Sequence, residues 1–128
     1  MTNPSKAKGT AWETAVVKYI RDIGLHAKRR PLTGHLDEGD IEVEGIPWLT
    51  IEAKAGKKMD LAGWITEANI EALNAHCSVG AVWAKRRGKT SPADGYVILD
   101  GESFMEILST ITGLHETLFE AEIRGPLQ

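Results

Sequence analysis

The apolar and polar positions of this chain alternate between helical and strand periods. Trp12, Val16, Tyr19, Ile20 and Ile23 recur at helical spacing and predict a first helix over 8–23, with Gly24 as its C′ residue. Residues 1–6 read as a mobile arm. A short strand over 25–30 and a turn-rich loop over 31–38, with Pro31, Gly34 and Asp37, come next. From Asp40 to Glu44 acids alternate with Ile41 and Val43. From Leu49 to Lys54 the alternation resumes, with Leu49, Ile51 and Ala53 facing a core and Thr50, Glu52 and Lys54 the other side. Gly45–Pro47 reverses the chain between the two runs. Leu61, Trp64, Ile65, Ala68, Ala72 and Leu73 predict a second helix to about residue 76, with Asp60 as N-cap. Residues 79–85 read as a buried strand and 96–99 as its returning partner. Phe104, Ile107, Leu108 and Ile111 mark a helix to Thr112. Gly113 is expected to break it, and Leu114, Leu118, Phe119 and Ile123 to form a further helix.

The hairpin carries the chemistry. A two-residue loop would pair Asp40 with Ile51 and separate the acids, whereas a three-residue loop or a bulge sets Asp40 opposite Glu52. In that second register two carboxylates and the Lys54 ammonium meet. Hard carboxylate oxygens suit Mg²⁺, and a neighbouring lysine can orient water or stabilise phosphate charge. The competing reading is a hairpin with a solvated acidic face. Against it, acids are poor strand formers and Glu52 and Lys54 sit in a run that otherwise reads as buried.

Composition narrows the class. With 128 residues, 42% hydrophobic and 26% charged, the chain is long enough for one domain with a core. No apolar run approaches a membrane span, and the N-terminus lacks the apolar segment of a signal peptide. Cys77 is the single cysteine, which excludes an intrachain disulfide and a cysteine zinc cluster. A cytoplasmic location is therefore expected, that of the host for a chain of bacteriophage origin. The net charge of −3 hides an asymmetry: residues 1–89 hold 14 Lys/Arg against 11 Asp/Glu, and 90–128 one Arg against seven acids. The basic residues cluster at Lys6 and Lys8, at Lys28–Arg30, at Lys54, Lys57 and Lys58, and at Lys85, Arg86, Arg87 and Lys89. Such clusters bind phosphate even in a chain of acidic total.

The ordered set of Lys8-Gly9 and Glu13, Arg29-Arg30, Thr33-Gly34, Gly39-Asp40-Ile41, Ile51-Glu52-Ala53-Lys54 and a later Trp83-Ala84-Lys85-Arg86 resembles the PD-(D/E)XK nucleases. Within that superfamily it looks most like the Holliday junction resolvases of archaea and bacteriophages. Gly39-Asp40 replaces the eponymous Pro-Asp and keeps the carboxylate. The likeness covers about residues 6–99, leaving 100–128 as a helical extension of a single domain. It implies an α/β restriction-endonuclease-like fold, a central mixed β-sheet flanked by helices. It also implies a homodimeric, Mg²⁺-dependent (Mn²⁺ as substitute) endonuclease that cuts four-way DNA junctions. In that reading Asp40, Glu52 and the Ala53 carbonyl hold the metal, Glu13 completes the acidic shell, and Lys54 serves the chemical step. Lys8, Arg29, Arg30, Thr33, Lys57, Lys58, Arg86, Arg87 and Lys89 contact DNA. Asn69 stands where many relatives carry Gln and is a candidate for support at the site. Phe104, Ile107, Leu114, Leu118 and Phe119 are expected to furnish part of the dimer interface. The alternatives are a nuclease of the same superfamily for duplexes, flaps or ends, and a DNA-binding module of the same fold without cleavage.

Overall fold

The computed structural model describes residues 3–32, 34–56 and 58–123, with 114–123 described by backbone alone. Trp12, Val16, Val17 and Ile20 form the buried stripe of helix α1 (Pro4–Ile23). They pack on Ala27, Ile41, Val43 and Ile51 of a sheet. Strands β1 (Ala27–Arg29), β2 (Ile41–Val43), β3 (Leu49–Lys54), β4 (Val79–Ala84) and β5 (Tyr96–Ile98) lie side by side in chain order. Three neighbouring pairs are antiparallel and β3–β4 is parallel. The parallel step needs a crossover, and helix α2 (Leu61–Asn74) makes it over the sheet face opposite α1. The chain is thus a single α/β domain with a five-stranded mixed sheet flanked by helices, the last being α3 (Gly101–Ile123).

α2 packs its backbone directly against β4. Ala68 and Ala72 are buried beneath it, and opposite them Gly80 of β4 has no side chain. A Cβ on Gly80 would overlap the Ala68 carbonyl oxygen and stand 2.7 Å from its carbonyl carbon. The absence of one methyl group therefore sets the height of α2, and with it the position of every α2 side chain that reaches β3.

Several expectations need correction. Helix α1 starts at Pro4, not Lys8, because Asn3 accepts a hydrogen bond from the Ser5 N–H and Pro4 supplies a pre-set φ at the first turn. Residues 4–6 are therefore helical, not an arm. Ile23 is 65% exposed, and Val17 takes its place in the stripe. Leu61 and Leu73 likewise lie outside the buried face of α2. α2 ends at Asn74, two residues early, with His76 leaving it at a left-handed φ of 58°. Gly113 does not break α3: glycine keeps its backbone N–H and costs a helix only ~1 kcal/mol relative to Ala.

Candidate metal centre

The hairpin register brings the two expected acids together. Ile41 pairs with Ile51, and the Asp40 N–H donates to the Ile51 carbonyl at 2.9 Å, so Asp40 stands across from Glu52. The connection is residues 44–48, closed by the Ile46 N–H to the Val43 carbonyl. Asp40 lies just before β2 and within electrostatic reach of both Glu52 and Glu13. Its Oδ2 accepts from the Ala53 N–H at 2.8 Å, which fixes the carboxyl against β3. Burial, then the charges of Glu52 and Glu13, push its pKa up to about 8, although the Ala53 N–H works the other way.

Glu13 of α1 lies beside Asp40. Its carboxylate also pairs with Arg29 at 2.6 Å, so this cation neutralises the α1 side of the site. Glu52 points to the α2 side and is 7% exposed; its Oε1 is 3.5 Å from Lys54 Nζ, and its buried Oε2 has no hydrogen-bond donor. Burial raises the Glu52 pKa, opposed by Glu71 and Lys54. Lys54 Nζ also sits 3.0 Å from both carboxylate oxygens of Glu67. Burial would lower its pKa, but Glu67 and Glu52 together raise it, so Lys54 is an ammonium and not a general base.

Sequence reasoning missed the α2 side. Asp37, Glu52, Glu67 and Glu71 each offer a carboxylate oxygen, all within 4.8 Å of one another. Asp40 and Glu13 are not part of this group. Glu67 and Glu71 are four residues apart on α2 and so share a face. Asp37 is brought in by its own loop: its Oδ1 accepts from the Gly39 N–H, and its carbonyl accepts from Asn74 Nδ2 at 2.7 Å. Glu71 is 2% exposed and neither of its carboxylate oxygens has a donor. Burial first, then the facing Glu52, push its pKa up to about 11. A signal was present, since Glu71 lies between Ala68 and Ala72 on the stripe that faces the sheet, where an unpaired acid is rare.

Asn69 does not support this site. Its Nδ2 donates to Asp100 Oδ2 at 2.9 Å, and Asp100 Oδ1 accepts from the Ser103 N–H, so Asn69 anchors the start of α3 to α2. Both bonds lower the Asp100 pKa.

The expected phosphate contacts divide. Arg30 faces inward, with Nε 2.9 Å from Thr50 Oγ1 and Nη1 3.2 Å from Glu42, and its side chain is only 12% exposed. Its role is to tie β1 to β2 and β3. Lys8, Lys58, Arg87 and Lys89 are exposed, and Arg86, also exposed, stacks 5.9 Å from the centre of the Tyr96 ring. Lys8 lines an open cleft with Ala55 and Gly56, just beyond Lys54. Arg86, Arg87 and Lys89 leave the sheet beside Lys54, since Lys54 pairs with Ala84 and its carbonyl accepts from the Lys85 N–H. Thr33 and Lys57 lie outside the described residues. His35 is exposed.

No protein-family model matches the chain, and neither a curated protein nor a solved structure matches it significantly. Among the described residues no helix is long and apolar enough to cross a membrane.

Proposed function

We propose that the chain is a metal-dependent phosphodiesterase acting on DNA. More narrowly, we read it as an endonuclease of the PD-(D/E)XK type with the restriction-endonuclease-like arrangement of the sheet, a homodimer that resolves four-way junctions. The observation that carries the reading is the convergence of Asp40, Glu52 and Lys54 at one end of β3, with a buried Glu52 oxygen that no donor satisfies. Carboxylate oxygens without donors fit a hard divalent cation, and Asp40, Glu52 and the Ala53 carbonyl are the groups that would hold it. A divalent cation there supplies charge neutralisation and water activation for phosphodiester hydrolysis.

The chain's own residues do the rest. Lys54, kept charged between Glu67 and Glu52, is placed to stabilise negative charge developing on a phosphate. Arg29 holds Glu13 beside Asp40. The exposed Arg86, Arg87, Lys89, Lys8 and Lys58 contact the backbone without reading sequence. Two cuts across a junction call for two sites related by a two-fold axis. Exposed Phe104, Met105, Leu108 and Ile111 along α3 supply apolar surface for a second copy; Leu114, Leu118 and Phe119, expected in the same interface, lie outside the described side chains.

The test is cleavage in Mg²⁺ of a four-way junction beside a linear duplex of the same sequence. Paired nicks in the junction arms are expected. Equal cutting of both would leave a nuclease without junction selectivity. No cutting of either, in Mg²⁺ or Mn²⁺, would sink the enzymatic reading.

A further inference from the structure

Glu71 is the anomaly of this molecule. A glutamate at 2% exposure ordinarily has a cationic partner or several donors, because an unpaired buried carboxylate is costly. Glu71 has neither. Both its oxygens are buried and undonated, as is Oε2 of Glu52, the acid it faces. Glu67 and Asp37 complete the group, and the only cation touching it among the described residues is Lys54, which neutralises Glu67 and one side of Glu52.

We propose that Asp37, Glu52, Glu67 and Glu71 form a seat for a divalent cation on the α2 side of the sheet, distinct from the Asp40 position. The donor set is four carboxylates, the hard-oxygen chemistry of Mg²⁺, Mn²⁺ or Ca²⁺. Ligand oxygens on opposite sides of such an ion stand ~4.2 Å apart for Mg²⁺ and ~4.8 Å for Ca²⁺, from metal–oxygen distances of about 2.1 and 2.4 Å. The four oxygens lie within 4.8 Å of one another, close to the span across one such ion, so small side-chain adjustments would bring them onto it. The seat has a floor and a mouth: Glu71 and Glu52 are buried, whereas Asp37 is exposed and Glu67 half-buried. A shared proton is the competing occupant. Glu71 lies within hydrogen-bond reach of both Glu52 and Asp37, so a proton on Glu71 would serve Glu52, and its other oxygen would need a second proton from Asp37, whereas one cation satisfies the set.

The inference rests on the nuclease reading only in that Glu52 belongs to both positions, and its test does not depend on cleavage. Mn²⁺ is titrated into the full chain, free ion being read by electron paramagnetic resonance, for wild type, Glu71→Gln and Asp40→Asn. Glu71→Gln is nearly isosteric, and circular dichroism verifies its fold. Wild type is expected to bind Mn²⁺ at sub-millimolar concentration. Glu71→Gln should lose one equivalent or weaken it at least tenfold, and Asp40→Asn should keep that equivalent. The rise in melting temperature produced by Mn²⁺ should shrink in Glu71→Gln. Titration of Glu71→Gln indistinguishable from wild type, or loss of all binding in Asp40→Asn, would overturn the seat. So would no Mn²⁺ binding to wild type at millimolar concentration, even if DNA were cut. Binding as expected without any cutting would keep the seat and remove the nuclease reading.

Discussion

Gly80→Ala is the substitution that most directly probes how the site is built. Gly80 pairs with Thr50 in the parallel β3–β4 ladder, two residues from the Glu52–Val82 pair, and faces α2. The added methyl would meet the Ala68 carbonyl group, with its carbon 2.7 Å away, and Ala72 Cβ at 3.3 Å. Normal carbon–carbon contact is about 3.5–4 Å, so α2 must retreat by roughly 1 Å. The obstacle is helix backbone, which cannot turn aside as a side chain would. Overpacking of this kind costs about 1–3 kcal/mol. At about 4 °C per kcal/mol for a domain of this size, the melting temperature should fall by about 4–12 °C. The retreat also draws Glu67 and Glu71 away from Glu52, so Mn²⁺ affinity should fall with stability. Thermal unfolding followed by circular dichroism reads the first effect. Gly101→Ala, where nothing lies within 4 Å of the new methyl, is the control and should stay within ~0.5 kcal/mol of wild type. A Gly80→Ala protein as stable as that control would refute the close seating of α2 on β4.

Two further outcomes follow from the electrostatics. Burial raises the folded pKa of Asp40 to about 8 from 3.8, so between those values the folded chain without cation binds more protons than the unfolded one. Its stability in EDTA should therefore fall as pH rises from 4 to 8, by a fraction of ~1.4 kcal/mol per pH unit because Asp40 is half-buried. Glu52 and Glu71, whose pKa values burial also raises, add to the same fall, so Asp40→Asn should reduce the slope without abolishing it in urea titrations at pH 5 and 8, and an unchanged slope would contradict the burial of Asp40. Replacing Arg86, Arg87 and Lys89 together by Ala should weaken binding to junctions of any sequence alike. The slope of log affinity against log salt should drop by about 1 for each phosphate that is no longer neutralised; fluorescence anisotropy at several salt concentrations measures this, and an unaltered slope would make the loop a solvated tip.

How much of this was legible in the sequence differs by element. The hairpin register was legible as one of two: a two-residue loop would have paired Asp40 with Ile51, and the Ile41–Ile51 pairing realises the alternative that sets Asp40 opposite Glu52. The N-cap of α2 at Asp60 was, since its side chain accepts from the Gly63 N–H in the usual way. The start of α1 was not, because an Asn3–Pro4 cap lies ahead of the apolar stripe and leaves no periodic trace. Arg29 and Arg30 looked alike, but in a strand neighbours face opposite ways, and one meets Glu13 while the other meets Thr50 and Glu42. Glu67 and Glu71 were not singled out, because their environment depends on Gly80, nine positions beyond Glu71, letting the helix down onto the sheet.

The proposed chemistry on a phosphodiester lies at the Asp40–Glu52 end of β3. The most direct measurement is single-turnover cleavage of a four-way junction in Mg²⁺ by wild type, Asp40→Asn and Glu52→Gln, with junction affinity measured on the same preparations. Both substitutions remove a carboxylate and no phosphate contact, so cutting should fall by at least a hundredfold while affinity stays within a few-fold of wild type. Variants that cut as fast as wild type would contradict the assignment of the site.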